Sequence, residues 1–190
     1  MIAFDMGQRD LLIYFVKLLN RFHVSYLLTG SFAVAFYGRP RATHDIDFVI
    51  EVLKKNSTQI KKVIDSLGSE FIFDKKNLNL EAETTMFNIL HEDSTIKIDF
   101  WVINENEFSE KFSRRHEAIF EKLTVNLISA EDLILTKLLW CKQVFSERHF
   151  RDCIGIWQVQ KGKIDTGYLQ KRAKELGVNK LLQDVSRGIY

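Results

Sequence analysis

Apolar positions along this chain fall on two periods, and the switches between them divide it into elements. Over residues 8–23 (QRDLLIYFVKLLNRFH), Leu11, Leu12, Phe15, Leu18, Leu19 and Phe22 recur at helical spacing, while Arg9, Lys17 and Arg21 fall largely off that stripe. SYLLTG at 25–30 reads as a short buried strand ending at Gly30. Residues 31–37 (SFAVAFY) read as a short helix stopped by Gly38 and then Pro40. HDIDFVIEV at 44–52 alternates, with Ile46, Phe48 and Ile50 on one face and Asp45, Asp47 and Val49 on the other. An amphipathic helix follows over 57–67 and ends at Gly68.

The middle of the chain has strand character. Strands are predicted at 70–73, 84–90 and 95–102, the last two joined by the HEDS turn at 91–94, and a further pair at 117–121 and 123–128. From Ser129 the period is helical, with helices predicted over 130–144, 147–160, 166–176 and 179–187; Ser129 followed by Asp132 forms a helix-opening cap. This order predicts an α+β fold: a mixed β-sheet core flanked by helices over 1–128, and a C-terminal helical bundle over 129–190 packed on it.

Composition narrows the class. Apolar residues make up 46% of the 190 positions and aromatic residues 12%, enough for a sizeable core. Lys and Arg number 27 against 25 Asp and Glu, a net charge of +2 that does not by itself mark a nucleic-acid binder. Cys141 and Cys153 lie in apolar helical stretches and cannot form a disulfide framework, so both are expected as buried thiols. No run reaches the roughly 20 apolar residues of a membrane span, and the charged residues near the N-terminus do not resemble a signal peptide. A cytoplasmic protein is the expectation.

The candidate chemistry begins at Asp45-Ile46-Asp47. Residues two apart on a strand project from one face, about 6–7 Å apart, and two anions there are relieved by a divalent cation. Mg²⁺ takes hard oxygen ligands and commonly binds through one or two carboxylates plus substrate phosphates. Ordinary surface aspartates would give the same pair. Upstream, Thr29-Gly30-Ser31 occupies a strand-to-helix junction, where a glycine admits a phosphate to the backbone and a helix N-terminus offers free N–H groups. A simple turn with Ser31 as N-cap is the alternative. Asp99 is a third acid on a later alternating strand; with Asp45 and Asp47 it could hold two metals roughly 4 Å apart, or it could belong to a salt bridge.

Taken together, TGSFAVAFYGRPRATHDIDFVI at 29–50 resembles the nucleotidyltransferase signature of the DNA polymerase beta superfamily. The form with Gly38, Arg41, Thr43, Asp45 and Asp47 is similar to that of AbiEii/AbiGii toxin-type nucleotidyltransferases. Ser129-Ala130-Glu131-Asp132-Leu133-Ile134 leading to Lys137-Leu138, and Arg148 with Arg151-Asp152, resemble two later helical motifs of that family. Two positions depart from its pattern: Ala130 stands where Pro is common, and Gly155 where a second acid is frequent.

The resemblance implies a nucleotidyltransferase-like fold and a set of roles. Asp45 and Asp47 would bind the Mg²⁺ (or Mn²⁺) of a nucleoside triphosphate, with Asp99 as base or further ligand. Gly30, Ser31, Arg41, Thr43, Lys137 and Asp152 would form the nucleotide-binding set. Within it, Arg41 and Thr43 would shape the loop before Asp45, Lys137 would neutralise phosphate charge, and Asp152 would orient Lys137 or the base. It also implies a toxin with a cognate antitoxin, and a nucleoside monophosphate passed to an acceptor hydroxyl.

Three readings of the acceptor stand side by side: RNA such as tRNA, a small molecule or protein hydroxyl, and no acceptor at all in a non-catalytic module. Basic residues at Lys111, Arg114, Arg115, His116, Lys142, Arg148, His149, Arg151, Lys161, Lys163, Lys171, Arg172 and Lys174 could carry an RNA backbone, or simply be solvated helix faces. Trp101, Trp140 and Trp157 could stack bases, although Trp140 and Trp157 fall at apolar helical spacing.

Overall fold

The computed structural model describes residues 6–51, 53–73 and 86–188. The chain divides into two compact units, Met1–Gly30 with Ala42–Leu127, and Ser31–Arg41 with Ile128–Tyr190. The segment 31–41, which the sequence reading keeps with the sheet, therefore lies among the C-terminal helices.

The first unit is built on helix α1 (Gln8–Arg21), strands β1 (Tyr26–Leu28) and β2 (Asp45–Glu51), and helix α3 (Leu53–Asp65), numbered after the short α2 (Gly30–Tyr37) that leaves it at Gly30. Strands β3 (Phe71–Ile72), β4 (Met86–His91) and β5 (Ile96–Ile103), helix α4 (Glu105–Ser113), and strands β6 (His116–Phe120) and β7 (Leu123–Leu127) complete it. The seven strands form one mixed sheet in the order β3-β4-β5-β2-β1-β7-β6. β2 pairs with β1 antiparallel and with β5 parallel, so it is central and its strand is buried along nearly its whole length.

Most elements stand within a few residues of their predicted places. The strand expected at 84–90 is described from Met86, since residues 84 and 85, like Val52, lie outside the described residues. Helix α4 is an addition. Its only large apolar residues, Phe108 and Phe112, make a weak stripe, and its start is marked by Asn104, whose side chain accepts the Glu107 N–H at 2.9 Å. β6 and β7 are joined by Glu121 and Lys122, both at positive φ (49° and 66°), the conformation that matches a two-residue turn to the twist of its strands.

One face of the sheet is aromatic. Phe100 stacks on Phe48 (ring centroids 5.5 Å apart) and on Phe87 (4.8 Å), and Tyr26 meets Phe48 edge-on at 5.5 Å. Helix α1 contributes Phe15 to this cluster, 6.1 Å from Phe100 and 5.6 Å from Phe71. These rings bury the side of β2 and β5 opposite to Asp45, Asp47 and Asp99, and so fix which way the acids face.

The second unit holds α2 from Ser31 onward, α5 (Ala130–Gln143), α6 (Glu147–Val159), α7 (Thr166–Glu175) and α8 (Asn179–Arg187). Ser129 caps α5 as expected, accepting the Asp132 N–H at 3.1 Å. α6 packs closely on the end of α2, because a Cβ at Gly38 would lie 3.0 Å from the Ile156 nitrogen. Cys141 and Cys153 are both buried, and burial pushes the Cys153 thiol far up. Among the described residues no helix is long and apolar enough to cross a membrane.

Phe100→Ala removes the ring shared by three aromatic contacts and leaves a cavity beneath the sheet. A loss of about 3–5 kcal/mol is expected from urea unfolding.

Candidate functional site

The parallel register of β2 against β5 sets Asp47 opposite Asp99 and Asp45 opposite Lys97. On the other side of β5, Asn88 of β4 stands opposite Asp99. Alternation along each strand puts Asp45, Asp47, Lys97, Asp99, Trp101 and Asn88 on the same face of the sheet, away from the aromatic cluster. Asp47 and Asp99 are buried, at 8% and 6% exposure, and Asp45 is half-buried.

Each acid has its own surroundings. The Thr43 hydroxyl donates to Asp45 Oδ1, and Gln8 Nε2 donates to the Asp45 carbonyl at 3.1 Å. Asp47 is bonded along its backbone and its side chain: the Thr29 N–H donates to its carbonyl at 2.9 Å, and the Trp101 indole N–H donates to Oδ1 at 3.2 Å. Gly30 stands directly against this carboxylate. With φ at +59°, it opens α2 in the left-handed region, and a Cβ there would lie 1.8 Å from Asp47 Oδ2. Glycine is therefore favoured by its backbone angle and required by its neighbour. Ser31, the next residue, is buried in the first turn of α2.

Asp99 is the least satisfied of the three. Its Oδ1 is buried without a hydrogen-bond partner among the described residues. Burial raises its pKa above the ordinary carboxylate range; Lys97 works against the shift and Asp45 adds to it. The folded chain therefore holds the Asp99 proton more tightly than the unfolded chain does, and this contribution to stability falls away as pH rises from the unfolded value through the raised one.

Among the described residues no three His, Cys, Asp or Glu side chains come close enough together to ligate one ion. The strand register brings the three acids to one region without drawing their carboxylates into a single cluster. Like charges repel, and Thr43 and Trp101 each hold one acid in place. The residues nonetheless fit a hard divalent cation. They supply carboxylate oxygens on one face, an orphaned buried oxygen on Asp99, and a glycine turn with no side chain in the way.

The second unit has an ionic cluster of its own. Arg41 makes a two-pronged pair with Asp152, Nε to Oδ1 and Nη2 to Oδ2, each at 3.0 Å. Lys137 Nζ donates to the same Oδ2 at 2.9 Å. Lys137 is only 1% exposed, which the sequence pattern, with a lysine on a helix, does not foretell. Burial by itself would raise the Asp152 carboxyl, but Arg41 and Lys137 outweigh it and hold it below the ordinary range. Gly155, where the family pattern often has an acid, sits against Arg39: a Cβ there would be 3.6 Å from Arg39 Cγ.

Five of the basic residues have partners in the fold. Lys111 pairs with Glu107, Arg115 with Glu117, Arg151 with Glu147 and Arg172 with Glu175, while Lys142 donates to the Leu176 carbonyl. His149 is not a cation at neutral pH. It packs against Trp140 with ring centroids 5.1 Å apart, and burial, followed by Lys137 and Arg148, lowers its pKa to about 4. Trp140 and Trp157 are half-buried. The bond from Trp101 to Asp47 lies outside the sequence reading, which treats Trp101 as a base-stacking candidate; a same-face position two residues after Asp99 was its only available signal.

A family model described as "Nucleotidyl transferase AbiEii toxin, Type IV TA system" matches residues 17–182. A search of curated proteins found no match. Among solved structures, the chain is similar to ANT(2'')-Ia in complex with adenylyl-2''-tobramycin, at 13% identity and a TM-score of 0.64, over 90% of this chain and 98% of that one. It is also similar to the lincosamide antibiotic adenylyltransferase LnuA, lincomycin-bound (15%, TM-score 0.56, 81% and 98%). A third is an antigenic nucleotidyltransferase-like protein from Paracoccidioides brasiliensis (17%, TM-score 0.55, 91% and 92%). At these identities the likeness shows the fold, a nucleotidyltransferase-like one.

Two measurements probe this geometry. Asp152→Ala leaves Lys137 buried without its carboxylate and should cost about 3–5 kcal/mol in urea unfolding. Wild-type stability should also decline as pH falls from 6.5 toward 4, because unfolded His149 takes up a proton that the folded chain refuses. His149→Gln should flatten that part of the profile, and an unchanged slope would assign it to other groups.

Proposed function

The chain belongs to the AbiEii family of nucleotidyltransferase toxins, and from that premise we propose that it moves a nucleoside monophosphate from a nucleoside triphosphate to an acceptor hydroxyl. The observation that carries the proposal is the acid face itself: Asp47 and Asp99 in register on neighbouring strands, Asp45 two residues along, and Gly30 against Asp47. In this reading Asp45 and Asp47 hold Mg²⁺ or Mn²⁺, with Asp99 as a further ligand or as the base. The cation, when bound, neutralises the charge of the triphosphate.

The chain's own residues do the rest. Gly30 makes room for the Asp47 carboxylate at the start of α2, where a phosphate would meet the Ser31 hydroxyl and the N–H groups of the helix's first turn. Asp99 takes the proton of the attacking hydroxyl, a task favoured by its raised pKa. The acceptor oxygen forms a bond to the α-phosphorus, the bond from that phosphorus to the bridging oxygen breaks, and pyrophosphate departs. Arg41 and Thr43 shape the loop before Asp45: Thr43 holds Asp45, and Arg41 ties its end of the loop to Asp152. Lys137 is proposed as the phosphate-neutralising cation, with Asp152 orienting it. Its burial means that Lys137→Ala should lower stability as well as turnover.

We favour a nucleic-acid acceptor such as tRNA, with growth arrest as the outcome and a cognate antitoxin to relieve it, on the strength of the family. A second reading is a small-molecule hydroxyl, favoured by the antibiotic adenylyltransferases that share the fold.

Incubation of each α-labelled triphosphate with Mg²⁺ and total tRNA, an aminoglycoside and lincosamide panel, or the protein alone separates these acceptors. Asp45→Asn and Asp47→Asn should reduce labelling to background and abolish arrest on expression. Asp99→Asn should do the same while leaving the melting temperature unchanged or higher, since it removes a buried charge. Retained transfer by all three variants would refute the proposed site.

A further inference from the structure

Trp101 follows Asp99 by two residues on β5 and shares its face of the sheet. Because Asp47 stands opposite Asp99, Trp101 is its diagonal neighbour across the strand pair, a separation that long aromatic side chains can bridge. The bridge is made by the indole N–H, which donates to Asp47 Oδ1 at 3.2 Å. The other oxygen, Oδ2, occupies the space that a side chain at Gly30 would need, 1.8 Å from the site of the missing Cβ. The two oxygens are thus placed differently: one is tied to an aromatic ring, and the other abuts the opening of α2.

We propose that Trp101 is a positioning residue for Asp47, tethering Oδ1 so that Oδ2 is the oxygen presented at the Gly30 turn. This rests on Asp47 being a metal ligand. The last torsion of an aspartate is broad and nearly two-fold, so an untethered carboxylate would exchange its oxygens or turn away from the turn. A donor on the rigid ring of Trp101 removes that freedom without adding charge. Phenylalanine would fill much of the same space but could not donate. Groups that orient a metal ligand typically change metal affinity 10- to 100-fold when removed.

Two measurements on the full chain decide the matter. Calorimetric titration with Mn²⁺ and with Mg²⁺ should show affinity weakened about 10- to 100-fold in Trp101→Phe. If transfer is observed, saturating metal should largely restore its rate, with the loss appearing in the metal concentration required. The second uses the wild-type chain, whose three tryptophans give three indole N–H signals in a ¹⁵N spectrum, with Trp101 identified as the one that persists in both Trp140→Phe and Trp157→Phe. On Mg²⁺ addition the Trp101 signal should shift while those of Trp140 and Trp157 stay in place. Equal metal affinity in a folded Trp101→Phe, or three unmoved indole signals at saturating Mg²⁺, overturns the positioning role and leaves the metal site standing. A wild-type chain that binds neither ion overturns the metal site, and this role with it.

Discussion

Parallel pairing of β2 with β5 sets two aspartates side by side where neither is well solvated, and the other features of that face follow from this crowding. Asp47 accepts the Trp101 N–H, Asp45 accepts the Thr43 hydroxyl, and Asp99 keeps one oxygen without a donor among the described residues and a pKa above its usual range. A chain under no demand but stability would gain by replacing Asp99, since a buried carboxylate oxygen without a donor is costly. The acids are held in place by the opposite side of the same strands. Phe48 and Phe100 sit in a stack of rings that one residue of slippage would turn outward.

Gly30 connects the strands to the helix that leaves them. Its positive φ and its contact with Asp47 have different causes, one in the backbone and one in a neighbouring side chain; the first disfavours a residue with a Cβ and the second excludes it while Asp47 stays in place. The same chemical economy appears in the helical unit, where Gly38 lets α6 approach the end of α2. There the buried charges balance: Asp152 receives Arg41 and Lys137, and the Asp132 carboxylate receives the Ser129 hydroxyl at 2.7 Å and the Tyr168 hydroxyl at 2.8 Å. On the acid face, Asp99 Oδ1 is buried without a hydrogen-bond partner among the described residues.

Much of this was legible in the chain. Strict alternation at Ile46, Phe48 and Ile50 marks β2 and assigns the acids to its other side, because side-chain direction on a strand depends only on the parity of position. Helix α4 was not legible, since Phe108 and Phe112 alone give too faint a stripe. The burial of Lys137 was not legible either: lysine is normally solvated, and only the carboxylate arriving from a separate helix makes a dry ammonium tolerable.

Local sequence determined the elements other than α4, the turn at Gly30, the cap at Ser129 and the family, because periodicity, backbone angle and short motifs act over a few neighbouring residues. Tertiary structure alone decided the order of strands, the register of Asp47 against Asp99, the reach of Trp101 to Asp47 and the meeting of Arg41 with Asp152. The last three join positions 50 to more than 100 residues apart, and a pattern confined to neighbours carries no record of which distant strand or helix will lie beside it.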